Sequence, residues 1–241
     1  NLPVAMIPNC AATRHVHFTL DGSGVADLPV PKLEDWPQIT WEAGPNSRRV
    51  NLDDVTPAEV ATWKPGETLL LSGKMLTGRD AAHKKIRDLF AAGEELPEGV
   101  DLNGRFIYYV GPVDPVREEV VGPAGPTTAT RMDGFTEMML DKTGLLGMIG
   151  KAERGPVAIE AIKKHKAVYL MAVGGSAFLV SKAIRKSRVV AFPELGMEAI
   201  HEFEVEDMPV TVAVDTTGDA VHTSGPKLWR SKIDKLPVEE I

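Results

Sequence analysis

The sequence predicts an α/β fold, on three observations. Apolar runs of strand length at residues 68–71, 105–110, 167–173, 189–192 and 208–215 alternate with stretches of helical spacing. Glycine and proline stand at the joints between them. Residues 167–173 and 189–192 are separated by a helical stretch and by no hairpin signal, which implies a parallel pair with a right-handed crossover.

The first element in order is the apolar run 2–9, which Pro3 and Pro8 break into an extended segment, with Cys10 directly behind it. A lone cysteine in such surroundings is ordinarily a small core residue. Residues 21–46 are rich in Gly, Pro and short polar side chains, with Trp36 and Trp41 as anchors, and read as a linker that contains a domain boundary. Thr56-Pro57-Ala58-Glu59 is a capping box with Pro at the first helical position, flanked by Val55 and Val60 as a hydrophobic staple. That short helix stops at Lys64-Pro65-Gly66. After the strand at 68–71, residues 72–78 carry the chain off its end to a helix opened by Asp80, with Ala82, Ile86, Leu89 and Phe90 on one face and Gly93 at its close. Arg79 lies at this strand-to-helix turn, either as a ligand contact or as a surface charge. His83, one turn on, reads as exposed or locally paired.

Residues 105–110 (RFIYYV) form a β-branched and aromatic strand that runs into Gly111-Pro112. A helix follows from Thr130 to about Lys142. Gly144, Gly147 and Gly150 then flank two apolar pairs ahead of Lys151, either as a turn or as a close backbone approach. Pro156 opens a helix through Val157, Ile159, Ala161 and Ile162, closed by the basic run Lys163-Lys164-His165-Lys166, where cations offset exposed carbonyls. Gly174-Gly175-Ser176 turns from the strand at 167–173 into a helix through Phe178, Leu179, Ala183 and Ile184. That turn lacks the full dinucleotide fingerprint and the phosphate-loop lysine. The turn 216–219 follows the last strand, and the tail from Pro226 carries Trp229 and ends polar.

The chain has 241 residues, 43% of them apolar, which is enough to bury a sizeable core in one large domain or two small ones. A net charge of −7 and the absence of a Lys/Arg cluster argue against nucleic acid and anionic membrane as partners. No apolar run approaches the ~20 residues of a membrane span. A single cysteine allows no intrachain disulfide and suits a reducing compartment. The sequence opens at Asn1 without a methionine or a signal peptide, so a fragment of a longer protein, or a chain whose beginning was removed or not included, is expected. The expected location is cytoplasmic, with a mitochondrial one as the alternative for a eukaryotic source.

Residues 122–135 (GPAGPTTATRMDGF) carry the chemistry. Gly122, Pro123, Gly125 and Pro126 forbid a regular element, Thr127, Thr128 and Thr130 offer hydroxyls, and Thr130 with Asp133 has the spacing of a helix N-cap. Free N–H groups, hydroxyls and the Arg131 guanidinium at a helix start suit an anion, and Arg grips a carboxylate with two hydrogen bonds. An ordinary loop and cap would show the same spacing. No cluster of metal-binding side chains and no nucleophile elbow is evident, so Arg79, Arg131 and Lys151 with the three threonines remain, a set suited to a dicarboxylate.

GPAGPTTATRMDGF, together with GMIGKAERG around Lys151 and LSGKMLTGRDAAH around Arg79, resembles the C-terminal part of the class I fumarate hydratases and the related tartrate dehydratases, in the same order over nearly the whole chain. The resemblance implies a layered β/β/α fold of the swivelling type over residues 47–241. Residues 26–46 would be the linker, and residues 1–25 (NLPVAMIPNCAATRH and beyond) the tail of an N-terminal iron–sulfur domain. It further implies that Cys10 is one of three thiolates on a four-iron, four-sulfur cluster, that Arg79, Arg131 and Lys151 hold the substrate carboxylates, and that Thr127 is the base that takes a proton from carbon. Fumarate and malate would be the substrates, and tartrate or another hydroxy-diacid dehydration, or dicarboxylate binding without chemistry, are the alternatives. A homodimer is expected. One cysteine cannot hold the cluster, so the chain would act only together with an N-terminal partner domain.

Overall fold

Four parallel pairings build most of the sheet. The computed structural model describes Gly22 and residues 44–115, 118–172 and 177–233, and these elements belong to a compact unit, Ala43–Ile241. Cys10, Trp36, Trp41, residues 1–21 and 23–25, most of the expected linker and the Gly174-Gly175-Ser176 turn lie outside the described residues.

Strands β1 (Arg48–Asn51), β2 (Thr68–Thr77), β3 (Phe106–Tyr108), β4 (Gly147–Gly150) and β5 (Val168–Met171) lie side by side, each parallel to the next. Strands β6 (Ile184–Ala191) and β7 (Ile200–Val214) pair antiparallel with each other. β7 also pairs antiparallel with both β5 and β2, which closes β2, β3, β4, β5 and β7 into a five-stranded, barrel-like ring with β1 and β6 outside it. The helices are α1 (Pro57–Val60), α2 (Asp80–Ala92), α3 (Asp133–Thr143), α4 (Pro156–His165), α5 (Ala177–Lys182) and α6 (Val221–Ile233). Among the described residues no helix is long and apolar enough to cross a membrane.

Because side chains alternate along a strand, the two faces of the sheet feed two cores. Phe106 and Tyr108 join Leu69, Leu71, Leu170, Phe203 and Trp63 in one cluster. Ile107 and Tyr109 join Met148 and Tyr169 in the other, against Ile86 of α2, Met139 and Leu140 of α3 and Ile162 of α4. Thr56 caps α1 as expected, accepting the Glu59 N–H at 3.2 Å, and Val60 is fully buried with Val55 packed nearby. Gly93 closes α2 in the left-handed conformation.

Several expected elements change. β2 continues past Leu71 to Thr77, because Ser72-Gly73 is a bulge and not a stop: Gly73 has φ 102°, and the Ser72 hydroxyl accepts the N–H of Asp207 on β7. Gly144–Lys151 contains a strand, β4, whose glycines admit close neighbours: a Cβ on Gly150 would stand 2.7 Å from the Thr128 carbonyl oxygen, and one on Gly147 would run into the Phe106 ring. Ile184 belongs to β6 and not to the preceding helix. β5 and β6 are not the expected parallel pair, since β6 bonds only to β7. Arg185, Lys186 and Arg188 face water from β6, a pattern that fits a sheet edge and not the doubly covered interior of a parallel sheet. β7 begins eight residues before the expected Met208, and the tail around Pro226 is the helix α6. In α4, Val157 is exposed while Ala158 turns inward.

Candidate active site

The carboxyl ends of three adjacent parallel strands carry the residues singled out in the sequence. β2 ends at Thr77, and the Gly78 N–H bonds to the Tyr108 carbonyl at 3.0 Å, which seats the turn beside β3. Arg79 follows with extended backbone and opens α2. Its side chain is only 18% exposed, and its guanidinium lies 3.5 Å from Glu198. The other oxygen of Glu198 accepts the Ala81 N–H at 2.9 Å, so one carboxylate answers both Arg79 and an orphan donor of the first turn of α2. Arg79 Nε is buried and finds no hydrogen-bond partner in the structure.

His83 pairs locally, as expected, but it is buried and not exposed. Its Nδ1 is 2.8 Å from the Arg79 carbonyl oxygen, which can only accept, so Nδ1 carries the hydrogen and Nε2 is a bare acceptor. Burial drives its pKa down to about 4, keeping the ring neutral at ordinary pH between Tyr109 and Phe135.

The threonine loop lies against the end of β3. The Tyr108 hydroxyl donates to the Ala124 carbonyl at 2.7 Å, and the Thr127 N–H donates to the Tyr109 carbonyl at 3.3 Å. Thr127 is exposed and Thr128 buried, with their hydroxyl oxygens 3.4 Å apart. The expected cap is not made: Thr130–Met132 is a 3₁₀ turn, α3 starts at Asp133, and the Thr130 hydroxyl donates to the Glu153 carbonyl at 3.2 Å. The Asp133 carboxylate is drawn away by Arg154 at 2.6 Å and the Gly155 N–H at 2.7 Å, which is why it does not serve the helix end.

Arg131 is half exposed, and its guanidinium lies 2.7 Å from the Asp80 carboxylate, the residue after Arg79. Lys151 is exposed just beyond β4, next to Gly150 and hence to the Thr128 backbone. Arg79, Thr127, Arg131 and Lys151 therefore sit on loops leaving β2, β3 and β4 at the carboxyl ends of these parallel strands, the end at which α/β folds bind ligands. Two arginines and a lysine there can hold carboxylates, and an exposed hydroxyl can take part in proton transfer.

This donor set does not suit an iron–sulfur cluster. Such a cluster needs several thiolates, whereas the site offers cations and hydroxyls, and among the described residues no three His, Cys, Asp or Glu side chains gather to hold a metal. Asp80, Glu198, His83, Asp133 and Arg154 were not assigned to the site from sequence. Asp80, Glu198, Asp133 and Arg154 act across loops that only the fold brings together, so their spacing carries no signal, whereas His83 lies one helical turn from Arg79 and its contact is local.

Residues 22–225 match the family described as Fumarase C-terminus. "Fumarate hydratase class I, anaerobic" of Escherichia coli (strain K12) is 35% identical over 228 residues, covering 90% of this chain and 40% of that protein. "Fumarate hydratase 2" of Leishmania major is 32% identical over 230 residues, or 92% of this chain and 40% of that protein. This chain thus spans about 40% of the length of these relatives. A protein named "Putative L(+)-tartrate dehydratase subunit beta" from Methanocaldococcus jannaschii is 34% identical over 187 residues, which make up 95% of its own length. With this match across most of its length, the chain belongs to the fumarase C-terminus family, as the C-terminal domain of the class I fumarate hydratase type.

Proposed function

We propose that this chain supplies the substrate-holding half of a class I fumarate hydratase, a hydro-lyase that interconverts malate and fumarate. The observation that supports it is the meeting of the Arg131–Asp80 pair with Arg79, Thr127 and Lys151 at the carboxyl ends of three parallel strands, in a chain of this family. Arg131 and Arg79 would grip the carboxylates through paired N–H groups, with Lys151 as a point charge. Thr127, exposed on its loop, would accept the proton from the carbon beside the bound carboxylate. A threonine hydroxyl is a weak base, so an acidic group from the N-terminal half has to share that proton. The cations then stabilise the charge that builds on the carboxylate as the proton leaves, the larger share of the catalysis.

On this reading residues 47–241 form a swivelling-type β/β/α domain, residues 26–46 a linker, and residues 1–25 the end of an iron–sulfur domain in which Cys10 would be a cluster ligand. Since the described site offers no seat for a cluster, the residues here bind and orient the diacid and move the proton. The protein would work as a cytoplasmic homodimer with its N-terminal domain present. A second reading, tartrate dehydration, is favoured by the tartrate dehydratase relative that this chain covers at 95% of its length.

The deciding experiment is an anaerobic assay of the full-length protein, reconstituted with iron and sulfide, against malate, fumarate and both tartrate enantiomers. Turnover of malate and fumarate supports the first reading, and preference for one tartrate supports the second. Binding of the diacids with no turnover of any of them would leave a binding domain and overturn both.

A further inference from the structure

Arg154 is a buried charge, with a side chain 0% exposed, and neither substrate contact nor proton transfer uses it. Each of its three guanidinium nitrogens has a partner. Nε donates to Asp133 at 2.6 Å, one Nη donates to the Thr136 hydroxyl at 2.5 Å, and the other approaches the Met148 sulfur at 3.8 Å. The group also lies over the Tyr169 ring, 4.8 Å from its centroid, with Tyr109 at 5.5 Å on another side. Burial opposes the charge, but Tyr109, Asp133 and Tyr169 together outweigh it and raise the Arg154 pKa.

A buried ion pair is a poor way to gain stability, because desolvation consumes the attraction and apolar side chains of similar volume often do as well. What a fork of fixed donors does provide is geometry. Arg154 joins the two segments that carry candidate cations. One is the start of α3, two residues after Arg131. The other is the loop after β4, three residues after Lys151. The same two segments are cross-linked twice more, by Thr130 to the Glu153 carbonyl at 3.2 Å and by Asp133 to the Gly155 N–H at 2.7 Å. Tyr169, under the guanidinium, donates its hydroxyl to the Ala152 carbonyl at 2.9 Å, the residue next to Lys151. Lys151 itself is exposed on a loop of irregular backbone, so its position relative to Arg131 is set by these neighbours.

We infer that Arg154 is a positioning residue: clamped by Asp133 and Thr136, it holds the Lys151 loop against the start of α3 and so sets the separation of Lys151 and Arg131 across a bound diacid. This rests on the diacid site proposed above.

The test uses the full-length protein and a mutant cycle of Arg154→Lys with Lys151→Ala. A residue that acts through Lys151 loses its effect once Lys151 is gone. Arg154→Lys alone should raise KM for the diacid at least tenfold with little change in Tm. In the Lys151→Ala background it should change KM less than threefold. The same tenfold factor in both backgrounds, or no change in the single variant, overturns the inference. If Arg154→Lys fails to fold, Thr130→Val, which removes only the exposed Thr130–Glu153 link, carries the same cycle with the same criteria. If the wild-type protein turns over no diacid, the functional reading has failed on its own, and hydrogen exchange then judges the clamp. Arg154→Lys should speed exchange at least tenfold in residues 151–155 and 130–133 together, and unchanged exchange in either segment rejects it.

Discussion

The Asp80 carboxylate lies 2.7 Å from the Arg131 guanidinium, tying the residue after Arg79 to the start of the next helix over a sequence distance of 51 residues. Both side chains are about half exposed, so the pair contributes less than ~1 kcal/mol to stability and leaves Arg131 open to a ligand. A lysine at 131 would keep the charge and could still meet Asp80, but it cannot make a two-pronged contact. Arg131→Lys in the full-length protein should therefore lower kcat/KM for the diacid at least about tenfold, the loss of one good charged hydrogen bond, with Tm unchanged. Steady-state kinetics beside a thermal melt check this, and normal turnover would remove Arg131 from the site.

Thr127 is exposed, and its hydroxyl makes one long contact, 3.4 Å, to the Thr128 hydroxyl, so deleting it should cost the fold little. Thr127→Ala should lower kcat by about 10²-fold or more while KM moves little, the range seen when a general base is removed. Thr127→Ser should keep most of the activity. An alanine variant that turns over normally would reduce Thr127 to a loop residue.

His83 supplies a pH dependence of stability. With a native pKa of about 4 against an ordinary 6.5, the unfolded chain binds a proton through this window that the native protein does not. Stability is therefore highest above pH 6.5 and falls as pH drops toward 4, by roughly 3 kcal/mol for this one group. His83→Asn keeps a donor near the Arg79 carbonyl and cannot titrate, so its stability should depend less on pH between 6.5 and 4. Urea midpoints of both proteins at pH 7, 5.5 and 4.5 measure the difference, and parallel curves would show that His83 does not titrate as its burial demands.

Gly150 is needed for space. A methyl there would press on the Thr128 carbonyl at 2.7 Å and on the Tyr169 hydroxyl. Neither can retreat, since Tyr169 holds Ala152 and Thr128 is buried. Gly150→Ala should cost about 1–3 kcal/mol and disturb the loops of both Thr127 and Lys151. Denaturant unfolding shows the loss, and a variant as stable as the parent would mean that the loops are looser than this contact implies.

Sequence by itself determined the α/β class, the capped start of α1, the glycine that ends α2 and the positions of α2, α4 and β5, because each is written in local periodicity and in turn residues. It also marked the cations and the threonine loop, since glycine, proline and hydroxyl residues packed so closely leave no regular element to form. The tertiary structure alone decided that β7 inserts between β5 and β2 and closes the ring, that Ser72-Gly73 is a bulge, and that Asp133 serves Arg154 and Gly155 in place of its own helix. It alone assembled the pairs Arg79–Glu198, Arg131–Asp80 and Arg154–Asp133. Strand pairing and burial of a charge depend on partners distant in the chain, and local spacing carries no record of which partner will arrive.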